Sequence, residues 1–224
     1  MEAITSTVED YLGLIYIMQR EGKDVIGARL AERLGVSRPT VTVTLKRMLR
    51  DGLIKISEHK EISLTPRGLE VAQDLLRRHM LAEWLLCEVL GLPWHQVHEE
   101  ADRLEHHFSE AAIDRLELLF EQPEVCPHGN PMPGMSPPPA VALSELAEGD
   151  EAVIVRIVEE AEDQRELMAF FEENELVPGV TIRAEECQPF NETVKVGVSD
   201  RSVVLGLAVA KFIHVQPKET GMEA

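Results

Sequence analysis

Seven of the chain's 13 prolines fall within residues 122–139, and the apolar spacing changes character across them. Before them, apolar residues recur mostly at three- and four-residue intervals; after residue 141 they alternate by twos. A chain broken in this way cannot be a single bundle or a single sheet. It needs a helical half and a strand half joined by a semi-rigid segment. The expected fold class is mainly α with a small all-β domain. The expected boundaries are 1–73, 74–121, a proline-rich linker at 122–144, and 145–217. With 224 residues, each part is long enough to bury a core of its own.

Residues 5–20 read as an amphipathic helix in which Ser6 or Thr7 serves as the cap. Asp10 continues the apolar line of Leu14, Ile17 and Met18, so its carboxylate sits at a core edge in water or is held by something. Gly27–Leu34 then forms a short helix, Gly35 ends it, and Ser37 caps a second helix with Pro39 in its first turn. Helix, glycine turn and helix make helix-turn-helix spacing. On the second helix Val41, Leu45, Met48 and Leu49 form the buried face. The outer face carries Ser37, Arg38, Pro39, Thr40 and Val43 toward its start, with Lys46, Arg47 and Arg50 beyond. Short polar and methyl groups suit base edges, and cations suit phosphates. Two alternating runs, 53–57 and 61–65, follow about a polar tip with Lys60, so this first domain reads as a winged helix.

Charge agrees with that placement once its distribution is considered. The net charge is −18, but residues 1–76 hold 11 Lys/Arg and 11 Asp/Glu, and the other 148 hold 11 against 29. Residues 27–67 carry nine basic and four acidic side chains. A basic patch on an acidic body can still meet phosphates, because only the local field acts on them.

A long helix is expected from Thr65-Pro66 to about Leu90, a second from about 94 to 107, and a third from Ser109. On the second, His98, Asp102, Glu105 and His106 fall within one stripe, a good set of donors for Mn²⁺, Fe²⁺ or Zn²⁺. A solvated acidic face is the plainer alternative. His79 and Glu83, at i and i+4, repeat the same chemistry upstream, and two such clusters favour metal. Cys126 and His128 could ligate a metal, but they lack partners at suitable spacing, and the plainer reading is an ordered turn. The apolar surface of these helices exceeds what they need for themselves, which points to a dimer interface.

Beyond residue 141, runs at Ala152–Val158, Val180–Ala184, Val194–Val198, Val203–Leu207 and Lys211–Val215 surround one helix, Gln164–Asn174. Five short strands with glycine turns make a small SH3-like barrel. The polar start of its helix, 162–166, offers further oxygen ligands or is an exposed capping turn.

Taken in order, Val-Glu-Asp-Tyr-Leu at 8–12, Ser-Arg-Pro-Thr-Val at 37–41, Arg-Arg-His-Met-Leu-Ala-Glu at 77–83, Val-His-Glu-Glu-Ala-Asp-Arg-Leu-Glu-His at 97–106 and Pro-His-Gly-Asn-Pro-Met-Pro-Gly at 127–134 resemble one family along nearly the whole chain. It is the diphtheria toxin repressor and manganese transport regulator family of metal-dependent transcription factors, in its long form. The resemblance implies a homodimer that binds a palindromic double-stranded DNA operator when loaded with Fe²⁺ or Mn²⁺ and represses metal-uptake genes. It implies a primary site of Asp10, Asp102, Glu105 and His106 and an ancillary site of His79, Glu83 and His98, with Gln164 and Glu166 matching the region that adds ligands from the SH3-like domain. Iron-sensing members carry sulfur where this chain has Asp10 and Asp102, which moves the expectation toward Mn²⁺. The manganese branch has a glutamate where this chain has Gly13, so a second metal placed as in that branch is not expected.

An enzyme is the first rival, but no nucleophile, oxyanion donors or general base accompany the cluster. A winged-helix regulator answering to an organic ligand or to oxidation is the second, and neither Cys126 nor Cys187 has a flanking cation in sequence. No apolar run is long enough for a membrane span, no signal-peptide pattern opens the chain, and three scattered cysteines form no framework. A cytoplasmic location, with no membrane partner and no small organic substrate, is the expectation.

Overall fold

The computed structural model describes residues 4–218. The chain groups into two compact units, one from residues up to His79 with Glu105–Phe108, the other from Met80–Leu104 with Ser109 onward. Residues 74–121, read from sequence as one helical domain, are shared between them.

In the first unit α1 (Ser6–Arg20) buries Val8, Tyr11, Leu12, Ile15 and Met18, a helical stripe. Its cap position is Thr5, one residue before the expected pair. After α2 (Gly27–Arg33), Gly35 takes φ +63, and Val36 N–H reaches Ala31 C=O at 3.0 Å. That is the left-handed exit that only glycine adopts without cost, and it sets the turn into α3 (Arg38–Arg50). Ser37 caps α3, its Oγ accepting from Thr40 N–H at 3.3 Å. Val41, Leu45 and Met48 are buried as expected, whereas Leu49 is 46% exposed. The helix turns 100° per residue, so Leu49 sits at the edge of the stripe and not within it.

The wing pairs β1 (Ile54–Ile56) with β2 (Ile62–Leu64) antiparallel, with Ile56 opposite Ile62. α4 (Pro66–Trp84) follows, and a π-helical turn, Leu85–Val89, extends it.

In the second unit a 3-10 turn, Trp94–Gln96, leads into α5 (Val97–Leu104). The expected helix to residue 107 stops there: Glu105–His107 tightens to 3-10 geometry and groups with the first unit. Ser109 caps α6 (Glu110–Leu119). The β body comprises β3 (Val141–Ala142), β4 (Glu151–Ile157), α7 (Glu159–Glu162), α8 (Arg165–Glu173), β5 (Thr181–Gln188), β6 (Thr193–Val198), β7 (Arg201–Gly206), α9 (Leu207–Ala210) and β8 (Ile213–Pro217). Its single sheet runs in the order β3-β8-β4-β5-β6-β7, one short strand more than expected. Phe171 and Met168 from α8 join Ile154, Ile182, Val196 and Ile213 in one core.

Part of the proline-rich stretch is built into this unit. Val125 bridges Pro131, and Cys126 N–H donates to Asn130 C=O at 2.9 Å. Ile157 N–H donates to His128 C=O at 2.9 Å, and Asn130 Nδ2 to Ile157 C=O at 2.7 Å. Gly129 is required: its φ is +84, and a Cβ there would lie 2.0 Å from Val155 O. The turn therefore lies directly on β4.

Candidate metal centres

The first cluster lies in the first unit. Asp10 comes from α1, and Glu105 and His106 from the 3-10 turn after α5; one donor atom from each lies within 4.8 Å of the others. His106 has a carboxylate on each nitrogen, Glu9 Oε2 at 2.9 Å from Nδ1 and Asp10 Oδ1 at 2.9 Å from Nε2. Glu105 Oε1 is 3.4 Å from the same Nε2. Glu105 is buried, and its Oε2 lies 2.8 Å from Nδ1 of His79. A hydrogen bond from Nδ1 to Glu9 fixes the ring so that Nε2 points at Asp10 and Glu105, the usual carboxylate–imidazole–metal arrangement. Three carboxylates about one or two imidazoles repel one another unless cations hold them, so the donor set fits a hard divalent ion. Glu9 was not anticipated. The signal was available, since Glu9 precedes Asp10 and can share its target from the next position of α1. Asp102, exposed on α5, lies three residues before Glu105, within the preceding helical turn.

The second cluster lies wholly in the second unit. Glu83, from α4, is fully buried; its Oε1 lies 3.3 Å from His98 Nδ1 and 3.1 Å from His128 Nδ1. Glu162, at the end of α7, places Oε2 3.0 Å from His98 Nδ1 and 3.6 Å from His128 Nδ1. Cys126 completes a group with Glu83 and His128 whose donor atoms lie within 4.8 Å. The buried His128 Nδ1 has no well-formed hydrogen bond although it faces two carboxylates. A divalent cation satisfies a buried nitrogen that faces two carboxylates, so this donor set also fits a metal.

The electrostatics agree. Burial works to lower the His98 pKa, but hydrogen bonds with Asp163, Glu162 and Glu83 outweigh it and hold the ring well above the imidazole range. His128 is likewise raised, burial being outweighed by the Glu162 and Glu83 charges. Burial pushes the Cys126 thiol well up, and the same carboxylates add to it.

Two sequence expectations change here. Gln164 and Glu166 are exposed at the start of α8, and Gln164 donates to the Glu160 carbonyl. The side chain that faces the cluster is that of Glu162, where α7 ends; α8 begins only at Arg165. Cys126 and His128 do have partners, supplied by α4 and α7 once the turn docks on β4.

The face of α3 that the sequence reading assigns to DNA is open. Ser37, Arg38, Pro39, Thr40, Val43, Lys46 and Arg50 are exposed, and Val43 reaches 70%. Arg50 Nε donates to Asp51 Oδ1 at 2.9 Å, and Arg47 lies 3.7 Å from the same carboxylate. The Arg50 hydrogen bond, with both guanidinium charges, holds the Asp51 carboxyl below its ordinary range. Lys60, φ +64, stands at the wing tip.

A winged helix joined to helices bearing two His/carboxylate clusters and an SH3-like body defines a class, the metal-responsive repressors. Residues 3–62 match the iron-dependent repressor N-terminal DNA-binding domain, residues 65–134 the iron-dependent repressor metal-binding and dimerisation domain, and residues 141–217 the FeoA domain. Iron-dependent repressor IdeR of Mycobacterium leprae is 36% identical over 229 residues, covering 96% of this chain and 99% of its own. The diphtheria toxin repressor of Corynebacterium diphtheriae is 41% identical over 135 residues, 60% of either chain. A manganese-dependent transcriptional repressor in complex with manganese superposes with TM-score 0.83 at 30% identity, over 93% of this chain and 98% of that one. The T. acidophilum IdeR structure gives TM-score 0.75 at 31% identity, over 97% and 100%. The chain belongs to the diphtheria toxin repressor family of metal-dependent, DNA-binding transcriptional repressors.

Proposed function

We propose that this chain is a homodimeric repressor of metal-uptake genes that binds a palindromic operator when Mn²⁺ or Fe²⁺ occupies the cluster of the first unit. The observation that carries this is the position of Asp10. It stands on α1, which shares a core with the reading helix α3, and its oxygen meets residues of the turn that continues α5. Asp10, Glu105 and His106 would hold the ion, with Asp102 added from the resemblance. Glu9 orients the His106 ring. The bound ion supplies positive charge that offsets the repulsion among these carboxylates. A ligand shifts an equilibrium only by its differential affinity for the two arrangements, and Asp10 at its 2.9 Å position supplies that difference.

The second cluster would hold a further ion through Glu83, His98, Cys126, His128 and Glu162. The resemblance assigns His79 to that ancillary set; its Nδ1 lies 2.8 Å from Glu105 Oε2. Oxygen and nitrogen donors in the first cluster favour Mn²⁺ as corepressor; the thiol in the second favours softer ions. No helix among the described residues is long and apolar enough to cross a membrane, and the reading is of a cytoplasmic regulator that is not an enzyme. Operator binding is tested by genome-wide DNA occupancy with and without added Mn²⁺ and Fe²⁺. Metal-dependent peaks upstream of metal-uptake genes are expected; occupancy indifferent to both metals overturns the proposal.

A further inference from the structure

The 3-10 turn that opens the α5 segment begins after Pro93, which has no side-chain acceptor and makes no cap. Its first N–H groups would be orphaned. Glu172 of α8 meets them: its carboxylate accepts from Trp94 N–H at 3.0 Å and from His95 N–H at 3.2 Å, and it also contacts the His95 ring. Glu172 follows Phe171, which is fully buried in the core of the β body, so the carboxylate stands on a rigid support. Its partial burial is outweighed by these hydrogen bonds, which hold the carboxyl below its usual range.

What Glu172 fixes is next to the metal cluster. Trp94 C=O lies 3.3 Å from His128 Nε2, Trp94 Nε1 donates to Pro127 C=O at 3.1 Å, and the Trp94 and His128 rings lie 4.6 Å apart. A carbonyl is acceptor only, so it requires the proton on Nε2 of His128 and leaves the lone pair on Nδ1. Nδ1 is the nitrogen that faces Glu83 and Glu162. His98 lies one helical turn beyond Trp94 on the same segment.

We propose that Glu172 is a positioning residue for the metal centre of the second unit: by fixing the Trp94 backbone it sets the His128 tautomer and the place of His98. The inference rests on the reading of Glu83, His98, Cys126, His128 and Glu162 as a metal centre. It gives the SH3-like body a task besides supplying Glu162, that of orienting ligands it does not itself contain.

Full-length protein loaded with Co²⁺ tests both levels. A thiolate-to-cobalt absorption band lost in Cys126→Ser establishes the centre; if no such band forms, the centre fails before Glu172 is reached. With the band present, Glu172→Ala should weaken Co²⁺ binding at this centre about 10–100-fold, the usual effect of an outer partner, while leaving the first cluster's Mn²⁺ affinity and the melting temperature near the parent's. Glu172→Asp should restore part of the loss. In Zn²⁺-loaded protein, nitrogen-detected NMR should show the parent's His128 ligated through Nδ1 with Nε2 protonated, and a mixture of ring states in Glu172→Ala. Parent-like Co²⁺ affinity and an unchanged His128 tautomer in Glu172→Ala would overturn the proposal. Equal losses at both centres, with a lowered melting temperature, would also overturn it, since they mark a merely structural role.

Discussion

Glu83 Oε1 lies 3.1 Å from Nδ1 of His128, joining the end of a long helix to a turn within the proline-rich stretch. That approach places the Cys126 thiol in the same group and gives the second centre a soft donor the first lacks. Cys126→Ser is therefore expected to cost Zn²⁺ affinity at this centre by more than about tenfold, since even outer partners of ligands are worth about 10–100-fold. Mn²⁺ should lose less, being indifferent to sulfur. Competition titrations of both metals measure the two losses, and equal losses would contradict a thiolate ligand.

Proton release should accompany metal binding there. His98 is held above the ordinary imidazole range, so near neutral pH the metal-free ring carries a proton that must leave before Nδ1 can ligate. The Cys126 thiol, pushed up by burial, must lose one too. Apparent affinity then rises with pH. In the metal-free protein the sign is opposite: the His98 contribution to stability is complete below the unfolded pKa of about 6.5 and is lost as pH rises through the raised value. Calorimetric Zn²⁺ titration in two buffers of different ionisation enthalpy counts the protons, and a buffer-independent heat would refute the scheme.

These two predictions concern what the sequence showed least. The winged helix was legible because its signals are local: the glycine exit at Gly35, the Ser37 cap and a 3.6-residue stripe. The grouping of His98, Asp102, Glu105 and His106 on one helical face was only partly right, because the chain tightens after Leu104, and His106 there meets Asp10 of α1. Cys126 and His128 looked isolated because their partners are distant in sequence and depend on Gly129 fitting against β4. Glu162 lay within the 162–166 stretch read as offering oxygen ligands, but Gln164 and Glu166 were singled out there because the short helix α7, which ends at Glu162, was not foreseen.

On α3, Lys46 is exposed and lies beyond the helix start. Lys46→Ala should weaken operator and non-operator DNA alike and flatten the salt dependence by about one unit. Val43→Ala, by contrast, should alter base preference with the slope unchanged. Fluorescence anisotropy across a salt series separates them. A changed base preference for Lys46→Ala at constant slope would contradict its phosphate role.

The second unit exposes Val89, Leu90, Leu118 and Leu119, the last two at 63% and 58%. These large apolar side chains lie in the segment that matches a dimerisation domain, and a second copy is expected to cover them. Leu119→Asp should yield a folded monomer by sedimentation and lose operator affinity even with metal present. A variant that remains dimeric at micromolar concentration would place the interface elsewhere.

Metal at the first cluster is expected to convert the position of Asp10 into DNA affinity. Asp10→Ala removes one carboxylate on α1 and leaves Glu83, His98, Cys126, His128 and Glu162 untouched. The direct measurement is operator Kd with and without saturating Mn²⁺, for the variant beside the parent. The variant should keep its fold, its dimer and metal binding at the second centre, yet lose most of the Mn²⁺-induced gain in operator affinity. If it retains the parent's full gain, Asp10 is a surface carboxylate and the switch lies elsewhere.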